Sequence, residues 1–187
     1  QEEKKKCFLQ SRIEGNEHHE EILNVFDAIL LNSKKIQTKA LFDYNFVLTG
    51  FMGAGKTTIS NALKHIFAIA VIEMDQIIAE REGMSISEIF ETYGEQYFRD
   101  AETNLLIELQ SRKNIVLSCG GGTPLREVNV SEMKKIGKVI LLTAKPETIF
   151  ERVKDCHDRP VLENNKNIPF IAELMEQRRP KYEAAAD

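Results

Sequence analysis

The sequence predicts an α/β fold in which a central parallel sheet is flanked by helices, preceded by an N-terminal helical segment. Beyond residue 43, four short runs rich in Val, Ile and Leu alternate with helical patterns. Continuous apolar strands of this kind are typical of a parallel sheet that is covered on both faces. A glycine-rich loop directly follows the first run, whereas residues 1–42 carry a helical period and no strand-like alternation.

The first predicted domain is the N-terminal helical segment, residues 1–42. Its apolar residues recur at steps of three and four, which places them on one helix face. A single helix does not bury such a face by itself. We therefore expect the segment to pack on the second domain, residues 43–187, or on another copy of the chain. The apolar residues are Ile22, Leu23, Phe26, Ile29 and Leu30.

The strands of the second domain are predicted from apolar runs that end in a glycine, an acidic residue or a loop. Helical patterns separate these runs, as expected for strands that are joined by crossover helices. The predicted strands are residues 46–49, 70–72, 115–117 and 139–142.

Helix boundaries are also visible. Ser85 and Glu88 have the spacing of a capping box, and Pro146 suits the first turn of a helix. A helix over residues 58–67 follows the glycine-rich loop. The last helix is predicted over residues 168–186, and we expect Pro180 to kink or break it.

The composition excludes some classes of protein. With 42% hydrophobic residues, the chain has enough apolar surface to fold. Its apolar runs are far shorter than the roughly 20 residues of a bilayer-spanning helix. A net charge of −4 argues against a nucleic-acid partner. Three widely spaced cysteines and the absence of a signal-peptide pattern favour a reducing cytoplasm over a disulfide-forming compartment.

Residues 50–57 read GFMGAGKT and fit the pattern G-x-x-x-x-G-K-[ST] of a phosphate-binding loop between a strand and a helix. Glycines let backbone N–H groups surround a phosphate, and the helix N-terminus adds a positive dipole. We expect Lys56 to reach the β- and γ-phosphates and the Thr57 hydroxyl to bind Mg²⁺. The loop therefore predicts binding of a nucleoside triphosphate.

Candidate groups for the phosphate acceptor follow two other strands. Asp75 lies just beyond the second strand, where a carboxylate can orient a hydroxyl for attack on the γ-phosphate. Taken alone, Asp75 is also compatible with a surface or helix-capping role. A glycine triplet follows the third strand and allows a small ligand to approach the backbone, although a flexible loop is the alternative. The triplet is Gly120, Gly121 and Gly122.

Three arginines are candidates for binding carboxylate or phosphate, because the guanidinium group matches both in a two-pronged geometry. Arg99 and Arg178 lie on predicted helices. Arg159 lies in a region of broken periodicity, which suggests a lid that brings positive charge onto the phosphates. A single arginine is more often a solvated surface residue, so these candidates depend on their combination.

In combination, the motifs resemble those of shikimate kinases, over residues 46–187. The resemblance implies a P-loop kinase of the nucleoside-monophosphate-kinase-like fold. It also implies transfer of phosphate from ATP to the 3-hydroxyl of shikimate, in chorismate biosynthesis. The matching features are the phosphate-binding loop, the acidic pair around Met74, Phe98-Arg99 with Glu102, the glycine triplet, the lid Arg159-Pro160-Val161-Leu162, and Arg178-x-Pro180-x-Tyr182.

The resemblance further implies a role for each site residue. Asp75 would orient the attacking hydroxyl, Arg99 and Arg178 would hold the shikimate carboxylate, and the glycine triplet would contact the substrate. Glu102 would orient Arg99. Lys56, Asp75 and Arg159 are the implied catalytic residues. The implied ATP-binding residues are Gly53, Ala54, Gly55, Lys56, Thr57, Thr58, Arg152 and Arg159, with Thr57 also on Mg²⁺.

The sequence departs from the family pattern at three places. Val161 replaces the leucine that usually follows the Arg-Pro of the lid, which is a small change. Glu73 stands where these kinases usually have an aspartate near Mg²⁺. The family usually continues beyond the last arginine motif with another strand and helix, so we expect this chain to be truncated at its C-terminus. The kinase domain is expected to be a cytoplasmic monomer that binds neither nucleic acid nor membrane.

Part of the N-terminal segment resembles the last helix of an all-helical chorismate mutase. The similarity covers residues 25–37, in which Ser33 and Gln37 match that family's site-facing serine and glutamine, one helical turn apart. It implies a chorismate mutase remnant from a bifunctional parent protein. The alternative is an amphipathic leader helix that packs on a neighbour, and self-association through this helix is expected to be possible.

Two other functions stay open at this point. A kinase of another small hydroxy acid, such as gluconate, could use the same scaffold, but it does not explain Arg99, the glycine triplet and Arg178 together. The second is a catalytically silent nucleotide-binding module whose helical segment mediates assembly.

Overall fold

The structure, a computed structural model, describes residues 2–15, 18–154 and 167–187. The chain divides into two compact units, Gln1–Leu41 and Phe42–Asp187. The predicted lid residue Arg159, together with Cys156, lies outside the described residues.

The described part of the first unit is helical, as its sequence predicts. It contains α1, Glu2–Ile13, and α2, His19–Leu41, which the sequence pattern did not separate. An ion pair of 2.6 Å between Lys6 Nζ and Asp27 joins the two helices. The predicted apolar face of α2 is only partly covered, since Ile29 is 57% exposed.

The second unit has the predicted parallel sheet flanked by helices. Within the described residues the sheet contains four strands in the order β2-β3-β1-β4, and each neighbouring pair is parallel. Their bounds differ from the predicted ones by one or two residues. The strands are β1 Asn45–Thr49, β2 Ala70–Glu73, β3 Ile115–Ser118 and β4 Gly137–Leu141.

Helices flank this sheet, and a short 3-10 turn, Thr123–Leu125, follows the glycine triplet. The capping box at the start of α5 is confirmed, because the Ser85 hydroxyl accepts from the Glu88 N–H and the Glu88 carboxylate accepts from the Ser85 N–H. The helices are α3 Lys56–Phe67, α4 Met74–Glu82, α5 Ile86–Leu109, α6 Glu127–Ile136, α7 Pro146–Val153 and α8 Ile168–Ala185.

Two helices have features that the sequence did not predict. Helix α8 continues past Pro180, so the predicted break does not occur. Tyr182 and Ala185 beyond it are buried, and their packing offsets the backbone hydrogen bond that proline cannot donate. Helix α5 is interrupted at Gly94, whose φ of 82° and ψ of 165° are not helical.

The core of the second unit lies on both faces of the sheet, where Val47, Leu48 and Leu117 are fully buried. At the amino ends of the strands, the buried side chain of Asn45 connects three segments. Its Nδ2 donates to the backbone carbonyls of Arg112 and Ile136, at 2.8 and 2.9 Å. Its Oδ1 accepts from the Ile115 N–H at 3.1 Å.

Among the described residues, every helix is too short or too polar to cross a bilayer.

Candidate active site

The candidate site lies at the carboxyl ends of β1, β2 and β3, where ligands bind in parallel α/β sheets. The phosphate-binding loop follows β1, and the glycine triplet follows β3. Glu73 is the last residue of β2, and Asp75 lies in the first turn of the helix that follows it. A cleft of about 270 Å³ joins these segments. Its lining residues are Met52, Gly53, Gly55, Lys56, Thr57, Thr58, Glu73, Asp75, Ser118, Cys119, Gly121 and Arg152.

The phosphate-binding loop curves around the Lys56 ammonium group. Lys56 Nζ donates to the backbone carbonyls of Gly50 and Phe51, at 2.9 and 3.1 Å. Gly55 precedes α3 with φ of 103°, a conformation that other residues rarely adopt. The loop thus places a cation and the free N-terminus of a helix at one end of the cleft, which suits a polyphosphate.

Two further residues predicted to bind ATP, one beside the loop and one within it, differ in their surroundings. Arg152 lies above the loop, and its guanidinium donates to the Gly53 carbonyl at 2.8 Å. Ala54 does not line the cleft, because its side chain is buried against the apolar residues of α7 and α8. Any contact of Ala54 with nucleotide is therefore restricted to its backbone.

Oxygen atoms suitable for Mg²⁺ meet beside Thr57. The Thr57 hydroxyl lies 3.4 Å from a Glu73 carboxylate oxygen, so the longer side chain of Glu73 does reach this hydroxyl. The Ser60 hydroxyl holds the other Glu73 oxygen at 2.7 Å, a role the sequence did not reveal. The described residues form no cluster of three or more His, Cys, Asp or Glu side chains. One carboxylate beside a hydroxyl suits Mg²⁺ that keeps water and phosphate oxygens as its other ligands.

Asp75 meets the glycine triplet at Gly120. A Cβ atom at Gly120 would lie 2.6 Å from Asp75 Oδ1 and 2.8 Å from Glu102 Oε1, so only glycine fits here. Two carboxylates from different helices thus approach the same backbone position. One of them, Asp75, lines the cleft that contains Lys56.

Arg99 is held by two carboxylates on its own helix. Its side chain is only 12% exposed, and it pairs with Glu102 and with Glu95, each at 2.8 Å. Burial raises the pKa of Glu102, and the Arg99 charge and hydrogen bond oppose that rise. The Thr123 hydroxyl also donates to Glu102. A Cβ atom at Gly122 would overlap the Arg99 guanidinium, which places this group directly against the triplet.

Arg178 and Tyr182 lie on α8, near the phosphate-binding loop and the glycine triplet. The guanidinium carbon of Arg178 lies 5.8 Å from the centroid of the Phe51 ring, beside the phosphate-binding loop. The Tyr182 hydroxyl donates to the Gly121 carbonyl. Burial raises the pKa of Tyr182, while the charge and hydrogen bond of Arg178 and the charge of Arg99 oppose that rise. Both predicted arginines therefore act on one buried hydroxyl.

The buried thiol of Cys119 shows that the charged groups share one region. Burial raises its pKa far above the usual range, so the thiol stays protonated. Four charged residues also act on it: Glu102, Asp75 and Glu73 raise its pKa, whereas Lys56 lowers it. Lys56, Glu73 and Asp75 line the same cleft as Cys119.

Comparison with known sequences agrees with this arrangement. The family described as "SKI: Shikimate kinase" matches residues 52–187. The shikimate kinase of Caldanaerobacter subterraneus subsp. tengcongensis is 40% identical over 141 residues, which cover 75% of this chain and 82% of the relative. The shikimate kinase of Geobacter sulfurreducens is 40% identical over 138 residues, covering 74% and 76%.

Solved structures show the same similarity. Shikimate kinase from Acinetobacter baumannii in complex with shikimate has a TM-score of 0.75 and 35% identity, covering 80% of this chain and 84% of its own. Shikimate kinase from Aquifex aeolicus has a TM-score of 0.65 and 36% identity, covering 76% and 83%. With the site geometry, these matches establish that the chain belongs to the shikimate kinase family.

Proposed function

We propose that this chain transfers the γ-phosphoryl group of ATP to the 3-hydroxyl of shikimate, forming ADP and shikimate 3-phosphate. The observation that supports this best is that Lys56 and Asp75 line one cleft together with Gly121, while the Arg99 guanidinium lies against Gly122 of the same triplet. A phosphate donor needs a cation and backbone N–H groups. A small hydroxy acid needs a base near its hydroxyl and fixed positive charge near its carboxylate.

At the acceptor end, Arg99 and Arg178 bind the shikimate carboxylate and Asp75 orients the 3-hydroxyl. Glu102 and Glu95 hold the Arg99 guanidinium in place, so little freedom is lost when the acid binds. The acceptor hydroxyl loses its proton as it attacks phosphorus, and the nearby Asp75 carboxylate can take it. The backbone of the glycine triplet completes this end of the site.

At the donor end, the loop residues Gly53 to Thr58 bind the nucleotide phosphates and Arg152 lies against the nucleotide. Lys56 offsets the negative charge of the transferred group. Thr57 and Glu73 would hold Mg²⁺ together with phosphate oxygens, and the ion would supply further positive charge on the phosphates when bound. The assignment of Arg159 to a closing lid remains a prediction from the sequence.

An ADP-release assay tests the proposal against its two alternatives. We expect ATP-dependent ADP release with shikimate and none above background with gluconate. Release with gluconate alone would favour a different hydroxy-acid kinase. Nucleotide binding without release for either acid would favour a silent module. Mass spectrometry and NMR of the product then identify which hydroxyl carries the phosphate.

Arg99→Lys should raise the KM for shikimate by about tenfold and change the KM for ATP little, because lysine keeps the charge beside Glu102 but loses the two-pronged geometry. Steady-state kinetics with each substrate varied in turn measures this effect. Arg126→Lys is the matched control, because Arg126 also forms an ion pair, with the exposed carboxylate of Asp100. An unchanged KM for shikimate in Arg99→Lys would contradict the carboxylate role.

For the N-terminal segment we propose a remnant of an all-helical chorismate mutase in a bifunctional parent, with the kinase in residues 43–187. Ser33 and Gln37 are both exposed on α2, one helical turn apart, in agreement with a former site face. Exposed apolar residues of α2, such as Ile36 at 69%, support a role in self-association. The kinase unit itself is proposed to act as a monomer in the cytoplasm.

Removing residues 1–41 should leave kcat and both KM values unchanged, because the second unit has its own core. Phe42 is kept, since its ring packs edge-on against Phe46 and Phe67. Kinetics and light scattering compare the truncated chain with the full one, and we expect self-association only in the full chain. Loss of turnover in a folded truncated chain would contradict the two-part organisation.

A further inference from the structure

Tyr182 occupies a buried position against the glycine triplet. It lies in α8 and is only 4% exposed, yet it carries a polar hydroxyl. That hydroxyl donates its proton to the carbonyl oxygen of Gly121, in the middle of the glycine triplet. A buried hydroxyl with a specific partner is costly to leave unsatisfied, so this hydrogen bond fixes both groups.

The oxygen of the same hydroxyl is available as an acceptor. Arg178 lies four residues earlier on α8, on the same helix face, and its charge and hydrogen bond oppose the rise that burial gives the pKa of Tyr182. Because the single hydroxyl proton is directed to Gly121, the guanidinium is the donor in any contact with this oxygen. The hydroxyl can therefore link the Arg178 side chain to the Gly121 carbonyl.

The hydrogen bond from Tyr182 to Gly121 joins α8 to the glycine triplet, beside a second bond from Lys181 of α8 to the Leu125 carbonyl. Arg178 is only partly buried and contacts Phe51 of the phosphate-binding loop, whereas Arg99 is fixed by its own carboxylates. The Tyr182 hydroxyl is the group that can support Arg178 next to the glycine triplet. A guanidinium that is held before the substrate binds loses less rotational freedom on binding.

We propose that Tyr182 is a positioning residue, whose hydroxyl holds Arg178 and the Gly121 peptide in the arrangement that receives the carboxylate of the acceptor. The inference rests on the proposed function, because it assumes that the acceptor is the small acid shikimate. It assigns to Tyr182 no contact with the reacting atoms.

Tyr182→Phe removes the hydroxyl and keeps the buried ring. We expect the Kd and KM for shikimate to rise about tenfold, as for the loss of a hydrogen bond to a charged group, with kcat and the KM for ATP nearly unchanged. Calorimetry gives the shikimate Kd without turnover, and steady-state kinetics gives the other constants. Tyr44→Phe is the matched control, since Tyr44 lies at the amino end of β1, away from the cleft.

A double-mutant cycle separates positioning from packing. If Tyr182 acts through Arg178, adding Tyr182→Phe to Arg178→Ala should weaken shikimate binding little further. Additive effects, or equal losses for ATP and shikimate together with a lower melting temperature, would overturn the inference. So would wild-type shikimate affinity in Tyr182→Phe. If the wild-type chain neither binds nor phosphorylates shikimate, the proposed function itself fails and the inference fails with it.

Discussion

Replacing Asp75 by Asn is expected to lower kcat by about 10²–10⁴-fold, the range for loss of a positioned acid–base group. Asparagine keeps the size of the side chain and one oxygen, so the contact with Gly120 is retained. It carries no charge and does not take the proton of the attacking hydroxyl. The loss should therefore appear in turnover and leave shikimate binding almost unchanged.

The surroundings of Asp75 support this separation of turnover from binding. Glu102 approaches the same glycine, and its carboxylate repels that of Asp75. Removing one of two nearby negative charges does not weaken the binding of an anionic acceptor. Initial rates at saturating ATP and shikimate, with calorimetric shikimate affinities, measure the two effects independently.

The control for this experiment is Asp43→Asn, because Asp43 is exposed just before β1, at the opposite end of the sheet. Wild-type turnover in a folded Asp75→Asn enzyme would show that this carboxylate takes no part in proton removal. A weaker shikimate affinity with unchanged kcat would assign Asp75 to ground-state binding alone.

The second large effect is expected for Lys56→Ala, with kcat about 10²–10³-fold lower, comparable to loss of one electrostatic group that stabilises a transition state. Lys56 is a cation that the structure places among the phosphate-loop carbonyls at the end of the cleft. Its charge matters most when negative charge is redistributed over the transferred phosphoryl group. Helix α3 begins at this residue, and its N-terminal N–H groups remain after the substitution.

Rapid-quench measurement of the chemical step, with the melting temperature as a check on folding, tests this expectation. Lys64→Ala is the matched control, because Lys64 is exposed on the same helix, two turns away. Turnover close to the wild-type value in a folded Lys56→Ala enzyme would remove the main support for phosphoryl transfer at this loop.

The sheet could be predicted because its two central strands are buried and therefore contain uninterrupted apolar runs. β1 and β3 are buried along their whole length, and their polar residues stand only at their ends. The start of β4 was placed two residues too late, because Gly137 and Lys138 are not apolar. As an edge strand, β4 pairs only with β1 among the described strands, so its exposed positions accept polar residues.

Other features of the fold have no local signal. Helix α1 is polar on most of its surface and shows no apolar period. The interruption at Gly94 lies between two helical patterns, and a single glycine within such a pattern is compatible with an unbroken helix. The continuation of α8 beyond Pro180 depends on tertiary packing of its last turn, which the sequence alone does not specify.

The site was partly predictable for a topological reason, since the carboxyl ends of parallel strands meet at one edge of the sheet. Asp75 and the glycine triplet are adjacent for this reason. Hydrogen bonds from Tyr182 to Gly121 and from Thr123 to Glu102 join separate elements, and no spacing rule predicts them. The four-residue step from Arg178 to Tyr182 was the available signal, because it places both residues on one helix face.

The buried amide of Asn45 has a consequence for how this fold tolerates change. It anchors the amino ends of β1 and β3 and the end of α6. These lie at the end of the sheet opposite the cleft, which is at the carboxyl ends of the strands. Part of the polar bonding that holds the strands together therefore lies at the end of the sheet that contributes no residue to the cleft. Substitutions among the cleft residues leave these three hydrogen bonds in place, so acceptor preference can be altered without removing them.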